Sequence, residues 1–404
     1  MEDFLLFSTS NSIELAEEVA DRLKILNVIS QLSHIKLTRF QDGEFKVKVE
    51  ASVRRKEVFV IASTNPPAEN LLELFMLIDA LRRASAESIS VVIPYYGFAR
   101  QDRKAGGRES ITAKMIAKLL ETLGVDRVIC MDLHADQIQG FFDIPADNLH
   151  GHLLIADALK IDFPNGFNDL VIVSPDTGGL TRVKVLSRIL TGSSFTYCSK
   201  ERDQNIPDSV DNFHLDGNVK GKAVLIYDDV ASTFKTTKEA VKEAIKAGAK
   251  SVSVAVIHYA CTKEITDSLI AEKLPINKIY TTNTNPRANY AYSQGLVTIV
   301  SAANLLAETI KRVINGDSVS KLFERWESFL KGVKRMNLYE LLLFHFTYWK
   351  NTINVVEWFC KIIKAPIAQS VEQLPLKQMV AGSSPAGGTK EKTHWMCFFI
   401  FIKN

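Results

Sequence analysis

The chain has 404 residues, of which 46% are hydrophobic and 24% are charged, and its formal net charge is +3. This length predicts two domains with some additional sequence, and the composition is that of an ordinary globular protein. So small a net charge gives no argument for nucleic acid or an anionic membrane as a partner, and any basic site must therefore be local.

The N-terminal stretch MEDFLLFSTSN begins acidic, and its apolar run is too short for a secretory signal. The five cysteines are scattered without a CxxC pair, which indicates a reducing compartment and no structural zinc. No segment has the roughly eighteen continuous apolar residues that a membrane-spanning helix needs. We therefore expect a cytoplasmic protein that binds neither membrane nor nucleic acid.

Strand-like and helix-like segments alternate along the first 150 residues. Apolar runs predict strands at 57–63, 88–94 and 127–133, and helical spacing of apolar residues predicts helices at 70–84 and 111–124. Strands this apolar, separated by helices, indicate a parallel sheet covered on both faces. The two-residue alternation of FKVKVE at 45–50 instead predicts a half-exposed hairpin strand.

The same alternation starts again after residue 150. The further predicted strands are 170–175, 194–200, 223–229, 251–258 and 296–302, and the helices are 152–160, 179–190, 238–249 and 303–314. We predict an α/β protein of two tandem Rossmann-like domains with mainly parallel sheets, at 1–150 and 151–316. The final helix, 303–314, is a candidate to pack on the N-terminal domain.

Polar clusters follow five of the predicted strands, at the edge where open parallel sheets bind ligands. They are PYYGFARQDRK (94–104), DLHADQ (132–137), SPDTGG (174–179), SKERD (199–203) and YDDVAST (227–233). One such cluster is expected wherever a strand stops. Five clusters that together hold Arg, His, Asp and Lys predict a site for anionic, metal-bound substrates.

Four stretches of the chain resemble ribose-phosphate pyrophosphokinase, also called phosphoribosyl-pyrophosphate synthetase, and the similarity covers about residues 3–324. These stretches are RFQDGE (39–44), DALRRASAESISVVIPYYGFARQDRK (79–104), GVDRVICMDLHADQIQGFFDIPADNL (124–149) and VSPDTGG (173–179). The resemblance implies two phosphoribosyltransferase-like domains, with ATP bound by the first and ribose 5-phosphate by the second. It also implies assembly as at least a dimer, up to a hexamer.

The reaction implied by this resemblance is transfer of the diphosphoryl group of ATP to the C1 hydroxyl of ribose 5-phosphate. The products would be AMP and 5-phosphoribosyl 1-diphosphate, which feeds nucleotide biosynthesis, and Mg²⁺ would be required. Such a transfer depends on alignment of the reactants and on cancellation of negative charge.

The resemblance also implies which residues form the ATP site. The matching residues are Phe40, Asp42, Gly43, Glu44, Arg100, Gln101 and His134. A guanidinium plane and a phenyl ring can enclose a purine, and carboxylates can accept hydrogen bonds from its amino group. In the family, the RFQDGE contacts come from a neighbouring subunit. Taken alone, Phe40 would more simply be a core aromatic.

The family's magnesium ligands match His134 and Asp176. Asp176 suits this role because Mg²⁺ prefers oxygen, whereas His134 could instead bind ATP phosphate or metal-bound water. Lys200 and Arg202 match the family's catalytic basic pair, which would neutralise charge on the transferring group. Surface charge is the alternative for this pair, because Glu201 and Asp203 make the segment mixed in sign.

The stretch YDDVASTFKTT (227–237) resembles the family's ribose-phosphate loop but departs from it at the loop aspartate and at two glycines. The residues assigned to ribose 5-phosphate by this match are Asp228, Asp229, Ser232, Thr233, Phe234, Lys235 and Thr236. Ser232 replaces the loop aspartate, as in some archaeal-type members, and Phe234 and Lys235 replace two glycines. Glycine permits positive φ and lets backbone N–H groups approach an anion, which larger side chains disfavour. We therefore expect weaker sugar binding than in a glycine-loop relative, although Lys235 could add a charge.

Two other functions are compatible with parts of the sequence. A catalytically weak or inactive homologue that regulates or scaffolds an intact synthetase is favoured by the altered loop and the mixed charges of SKERD. A phosphoribosyltransferase would share the fold and the paired aspartates, but the ARQDR and DLHADQIQGFF motifs belong to ATP use. The joint presence of all the matched charged residues favours the active enzyme.

Residues 325–404 form an extension outside the resemblance, and we expect it to be poorly ordered. Back-translation of AQSVEQ (368–373) and VAGSSPAGGTK (380–390) resembles the arms of a transfer RNA. We hypothesise that this tail is read through from a lost stop codon into a transfer-RNA gene. The alternative is an ordinary linker with a short apolar end.

Overall fold

The computed structural model describes residues 4–28, 31–201 and 212–322. The extension at 325–404 and the predicted catalytic residue Arg202 lie outside the described residues.

The N-terminal half contains a five-stranded parallel sheet in the order β1-β4-β5-β6-β7. Its strands and helices, in chain order, are β1 Phe4–Ser8, α1 Ile13–Ile25, β2 Ile35–Arg39, β3 Phe45–Val49, β4 Glu57–Ile61, α2 Glu69–Arg83, β5 Ser88–Ile93, α3 Thr112–Thr122, β6 Arg127–Met131 and β7 Ala146–Leu149. Strands β2 and β3 pair antiparallel as a separate hairpin, which confirms the prediction from FKVKVE.

The C-terminal half contains a seven-stranded sheet in the order β10-β9-β8-β11-β12-β13-β14, in which only the β9–β10 pair is antiparallel. Its elements are α4 His152–Asp162, β8 Leu170–Ser174, α5 Leu180–Ile189, β9 Ser194–Glu201, β10 Asn212–Leu215, β11 Ala223–Ala231, α6 Lys235–Lys246, β12 Ser251–Tyr259, α7 Lys263–Glu272, β13 Ile279–Thr282, α8 Arg287–Ser293, β14 Thr298–Val300 and α9 Ala303–Ile314. The predicted α/β class with mainly parallel sheets is therefore confirmed.

One hydrophobic core joins residues from both ends of the chain. Helix α9 lies against α1, and Leu306 and Ile310 are buried in the same cluster as Val19 and Leu23. The Nζ atom of Lys311 also donates a hydrogen bond to the Leu26 carbonyl at 3.3 Å. This packing fixes the two sheets in one compact arrangement, with their carboxyl-end loops close together. None of the helices within the described ranges is long and apolar enough to cross a membrane.

Candidate active site

A cavity of about 200 Å³ lies at the carboxyl ends of strands from both halves. Its lining residues are Pro66, Tyr95, Tyr96, Phe98, Ala99, Arg100, Gln101, Asp132, Leu133, His134, Asp229, Val230 and His258. The loops after β4, β5 and β6 supply the first ten, and the ends of β11 and β12 supply the last three. The fold thus brings three residues predicted for ATP and one predicted for ribose 5-phosphate to one cavity.

Two of the hydrogen bonds that connect the halves beside this cavity join predicted site residues. Arg100 donates through Nη1 to Ser232 Oγ at 2.9 Å, and His134 Nδ1 lies 2.8 Å from Asp229 Oδ2. Because a carboxylate only accepts, His134 donates its Nδ1 proton, and its ring presents Nε2 on the other side. The hydrogen bond to Asp229 raises the pKa of His134. Residues predicted for two different substrates are therefore in direct contact.

The paired aspartates at the end of β11 are buried beside a cation. Arg182 Nη1 lies 3.3 Å from Asp228 Oδ1, and its Nη2 lies 3.4 Å from Asp229 Oδ2. Burial, followed by the neighbouring charge of Asp229, raises the pKa of Asp228 well above its usual range. Burial also opposes ionisation of Asp229, but the hydrogen bond from His134 and the charge of Arg182 outweigh it and lower the pKa of Asp229. The pair therefore presents one firmly ionised carboxylate and one that holds its proton more strongly.

The loop after β11 adopts the backbone conformation that its lack of glycine had argued against. Phe234 has φ +61° and lies in the left-handed region, directly before α6 begins at Lys235. Its ring is only 2% exposed and packs in the core of the C-terminal half, with Val241 and Val256. Phe234 therefore adopts positive φ although a side chain disfavours it, and burial of the ring can offset the roughly 1–2 kcal/mol of backbone strain. Nor does the ring obstruct the loop, since it packs inward.

The hydroxyl and ammonium groups of this loop lie near the first turn of α6. Thr233 and Lys235 are exposed, and Ser232 and Thr236 are partly buried. Lys235 and Thr236 are the first two residues of α6, where backbone N–H groups point away from the helix and attract anions. The first turn of α6 therefore offers backbone and side-chain donors of the kind that bind anions.

Asp176 follows β8 and is exposed, and its Oδ1 accepts a hydrogen bond from the Gly179 amide at 3.0 Å. Within the described ranges, no group of three or more His, Cys, Asp or Glu side chains is arranged to hold a metal ion. Mg²⁺ in phosphoryl-transfer sites is commonly bound by one or two carboxylates together with substrate phosphates and water. An exposed carboxylate at this edge of the sheet fits that mode of binding.

The other predicted ATP contacts lie away from the cavity, at the tip of the β2–β3 hairpin. Phe40 is 46% exposed, and Lys46 Nζ lies 5.5 Å from the centre of its ring. Asp42, Gly43 and Glu44 form the exposed turn, in which Glu44 N donates to Asp42 Oδ1 at 3.0 Å. This arrangement contradicts a core role for Phe40, because the ring is substantially exposed. It leaves the tip presented outward.

The predicted catalytic pair is only partly covered by the described residues. The backbone of Lys200 belongs to β9, which runs from Ser194 to Glu201 and pairs with β10. The side chain of Lys200 and the whole of Arg202 lie outside the description.

Comparisons with known proteins support one family. A model of the N-terminal domain of ribose phosphate pyrophosphokinase matches residues 4–124, and a phosphoribosyl transferase domain model matches residues 146–283. Ribose-phosphate pyrophosphokinase 1 of Listeria monocytogenes is 42% identical over 324 residues, which cover 79% of this chain and 96% of the relative. The chain belongs to the ribose-phosphate pyrophosphokinase family.

Further relatives of this family agree across the same region. Ribose-phosphate pyrophosphokinase 1 of Streptococcus pneumoniae is 40% identical over 326 residues, covering 80% of this chain and 97% of that protein. The crystal structure of phosphoribosylpyrophosphate synthetase from Mycobacterium smegmatis has a TM-score of 0.69 at 33% identity and covers 78% of this chain and 99% of its own. The predicted family and the class of diphosphate-transferring enzyme are confirmed, while the roles of individual residues stay predictions.

Tyr95, His258 and Arg182 lie at the cavity or beside the paired aspartates but were not assigned to the site from the sequence. Tyr95 and His258 line the cavity, with ring centres 5.1 Å apart, and Arg182 holds the paired aspartates. His258 ends the predicted strand SVSVAVIH, so the criterion of polar residues at strand ends could have identified it. Its Nε2 lies 3.1 Å from the Met131 carbonyl and its Nδ1 lies 2.7 Å from Thr284 Oγ1, so it also joins the two halves. Arg182 follows SPDTGG by three residues, and only its position in the first turn of a helix hinted at a role.

Proposed function

We propose that this chain catalyses Mg²⁺-dependent transfer of the diphosphoryl group of ATP to the C1 hydroxyl of ribose 5-phosphate. The C1 oxygen would form a bond to the β-phosphorus while the bond from that phosphorus to the oxygen bridging the α-phosphorus breaks. AMP would leave with the bridging oxygen, the hydroxyl proton would be released, and 5-phosphoribosyl 1-diphosphate would feed nucleotide biosynthesis. The observation that carries the proposal is that Arg100, Gln101, His134 and Asp229 line a single cavity.

The ATP side would use the residues of the N-terminal half. Arg100 can pair with phosphate or stack on the purine, Gln101 can donate or accept a hydrogen bond, and His134 can donate through Nε2 when protonated. Bound Mg²⁺, held by Asp176 with ATP phosphates and with His134 directly or through water, would neutralise phosphate charge. Lys200 and Arg202 would add positive charge at the transferring group.

The sugar side would use the end of β11 and the start of α6. The ionised carboxylate of Asp229 can accept a hydrogen bond from a ribose hydroxyl, and the Asp228 carboxyl, whose pKa is raised, can still accept one through its unprotonated oxygen. The 5-phosphate would lie at the first turn of α6, near the backbone N–H groups and the hydroxyls of Ser232, Thr233 and Thr236. The buried Phe234 would hold this loop in place, and Lys235 would supply a charge near the phosphate.

A regulatory or scaffold subunit without activity is the second candidate, and the replacement of the loop glycines is the observation that favours it. The inward packing of Phe234 weakens that argument, because the side chain does not fill the loop. Assembly as at least a homodimer and a cytoplasmic location remain predictions.

The deciding experiment measures AMP and 5-phosphoribosyl 1-diphosphate formed from ATP and Mg²⁺ across a wide range of ribose 5-phosphate concentrations. We expect sugar-dependent formation of both products in equal amounts, with a high KM for the sugar. A reaction without sugar and a reaction with chelator in place of Mg²⁺ are the controls. Absence of both products at every sugar level, from folded protein that binds ATP, would refute catalysis and favour the regulatory subunit.

A further inference from the structure

Arg182 occupies a position that is electrostatically unfavourable for a cation on its own helix. It lies in the first turn of α5, where the backbone carries partial positive charge and no acidic residue is present. Its side chain is only 20% exposed, and a buried cation is costly unless it is paired. The buried side chains of Val183 and Leu186 fix the helix against the core. A favourable interaction elsewhere must therefore hold the guanidinium in this place.

That interaction is with the two aspartates of β11. The two terminal nitrogens of Arg182 divide between them, with Nη1 3.3 Å from Asp228 Oδ1 and Nη2 3.4 Å from Asp229 Oδ2. Consecutive side chains of a strand normally project to opposite faces. Contact of both Asp228 and Asp229 with one cation is therefore unusual and indicates a specific interaction. A planar guanidinium with donors on both sides can bridge two carboxylates, which a point charge such as an ammonium does less well.

The surrounding charges strengthen this pairing. Asp229 Oδ2 is also the atom that contacts His134, and the backbone N–H of Asp229 donates to Asp228 Oδ1 at 2.9 Å. Burial opposes the charge of Arg182, but Asp229 and then Asp228 outweigh it and raise the pKa of the guanidinium. Tyr227 and Asp132 contribute in the same direction. Arg182 is thus a permanent cation within an otherwise acidic cluster.

We propose that Arg182 is the positioning residue of the sugar site, which orients Asp228 and Asp229 together to receive the two ribose hydroxyls. This inference rests on the proposed function, because it assigns the paired aspartates to ribose 5-phosphate. Without the cation, nothing would draw the two adjacent buried carboxyl groups to one point, and they would turn apart. In this role Arg182 acts through its contacts with the two aspartates.

The test uses Arg182→Ala and Arg182→Lys, with Arg188→Ala as the matched control, because Arg188 is an exposed arginine of the same helix. For each full-length protein we would measure kcat, KM for ribose 5-phosphate, KM for ATP and the midpoint of heat unfolding. Arg182→Ala should raise the KM for the sugar by about tenfold to a hundredfold, as expected for loss of charge-assisted contacts, while KM for ATP stays near that of the wild type.

Two further readouts separate positioning from a structural role. Added guanidinium chloride at millimolar concentration should lower the sugar KM of Arg182→Ala and should not affect Arg188→Ala. Arg182→Lys should give a sugar KM between those of the wild type and Arg182→Ala. A wild-type sugar KM in folded Arg182→Ala, or an equal rise in both KM values without rescue by guanidinium, would overturn the inference. If Arg182→Ala does not fold, a wild-type sugar KM in Arg182→Lys overturns it instead.

Failure of the proposed function can be recognised separately. If the wild type forms no product, calorimetric titration with ribose 5-phosphate still tests Arg182. Weaker sugar binding by Arg182→Lys than by the wild type would then support the positioning role without catalysis. A wild type that does not bind ribose 5-phosphate at all would overturn both the proposed function and this inference.

Discussion

The predicted ATP residues fall into two groups whose surroundings differ completely. Arg100, Gln101 and His134 line a cavity within one chain and contact residues of the other half. The hairpin tip at 40–44 is the exposed end of a two-stranded sheet whose other face packs against the N-terminal core, and Glu44 N donates to Asp42 Oδ1 within the turn. The cavity is therefore assembled by the fold of a single chain, whereas the hairpin tip presents its groups outward.

This difference explains how an exposed phenylalanine can belong to a binding site. Phe40 has no large burial to stabilise it within the chain, so its ring is available to another molecule. Contact with a neighbouring subunit, as the family resemblance implies, would use that exposed ring. The two groups would then form one ATP site only in an oligomer.

The largest expected effects are losses of activity when either the cavity or the hairpin tip is changed, with the two changes then placed in different chains of one assembly. Asp229→Asn should reduce kcat/KM for ribose 5-phosphate by about a hundredfold, since a charged hydrogen-bond acceptor is lost. Phe40→Ala should raise the KM for ATP by about tenfold or more, since stacking of a base on an aromatic ring contributes roughly 1–3 kcal/mol. Mixed assemblies of the two variants, isolated through distinct tags, should regain part of the wild-type activity at low ATP.

Mixed assemblies in which both tagged chains carry Asp229→Asn are the control. Activity no greater than the mean of the two parent variants would contradict a site shared between subunits. It would instead place the whole ATP site within one chain.

A smaller effect distinguishes the buried loop residue Phe234 from the exposed Phe40 of the hairpin tip, and it is measured as stability. Phe234→Gly removes a ring that is 2% exposed, whereas Phe40→Ala removes one that is 46% exposed. We expect Phe234→Gly to lower the free energy of unfolding by about 2–3 kcal/mol, because loss of a buried phenyl ring costs about 3–5 kcal/mol and relief of the left-handed conformation returns about 1–2 kcal/mol. Denaturant unfolding monitored by circular dichroism measures this difference.

Phe40→Ala is the matched control and should leave the free energy of unfolding nearly unchanged. Equal stability losses in the two variants would show that the buried and exposed regions do not differ as described. A higher sugar affinity in Phe234→Gly would restore the idea that the phenyl ring hinders the loop.

The smallest expected effect concerns pH and a partly buried histidine at the start of α4. His152 begins α4 and stacks on His150, with ring centres 5.4 Å apart, and burial lowers its pKa to about 4. The unfolded chain takes up this proton near pH 6.5, so protonation favours unfolding as pH falls from about 6.5 to about 4. His152→Asn should remove this loss of stability, which is at most about 1.4 kcal/mol per pH unit.

Unfolding of both proteins at pH 7 and pH 5 gives the comparison. The difference in stability between His152→Asn and the wild type should shift in favour of the variant at pH 5. An unchanged difference would mean that His152 titrates normally in the folded protein.

Much of the fold followed from hydrophobic pattern alone. Long apolar strands such as SISVVIP and amphipathic helices such as 303–314 agree with β5 and α9, because burial on both faces or on one face leaves a clear periodicity. Short or polar elements such as β7, with the sequence ADNL, and β13, with IYTT, were not predicted. Their pairing depends on neighbours in the sheet, which a local pattern does not contain.

Site residues that lie at the ends of strands could be predicted from the sequence. Contacts that depend on how distant elements pack could not. The polar clusters correctly indicated the edge of the sheets at which the cavity lies. The pairing of Arg182 with the aspartates depends on how α5 lies against β11 and could not be inferred from spacing. The left-handed Phe234 was likewise unpredictable, because its stability comes from core residues far along the chain.

The packing of α9 on α1 sets a time order for folding during synthesis. The core around α1 includes Leu306 and Ile310, so it is completed only after nearly all the described chain has left the ribosome. At about 5–20 residues per second, synthesis of the intervening segment takes roughly 15–60 seconds. Throughout that interval the apolar face of α1 that α9 will cover is open to water and to other nascent chains. Packing of α9 on α1 ends that exposure.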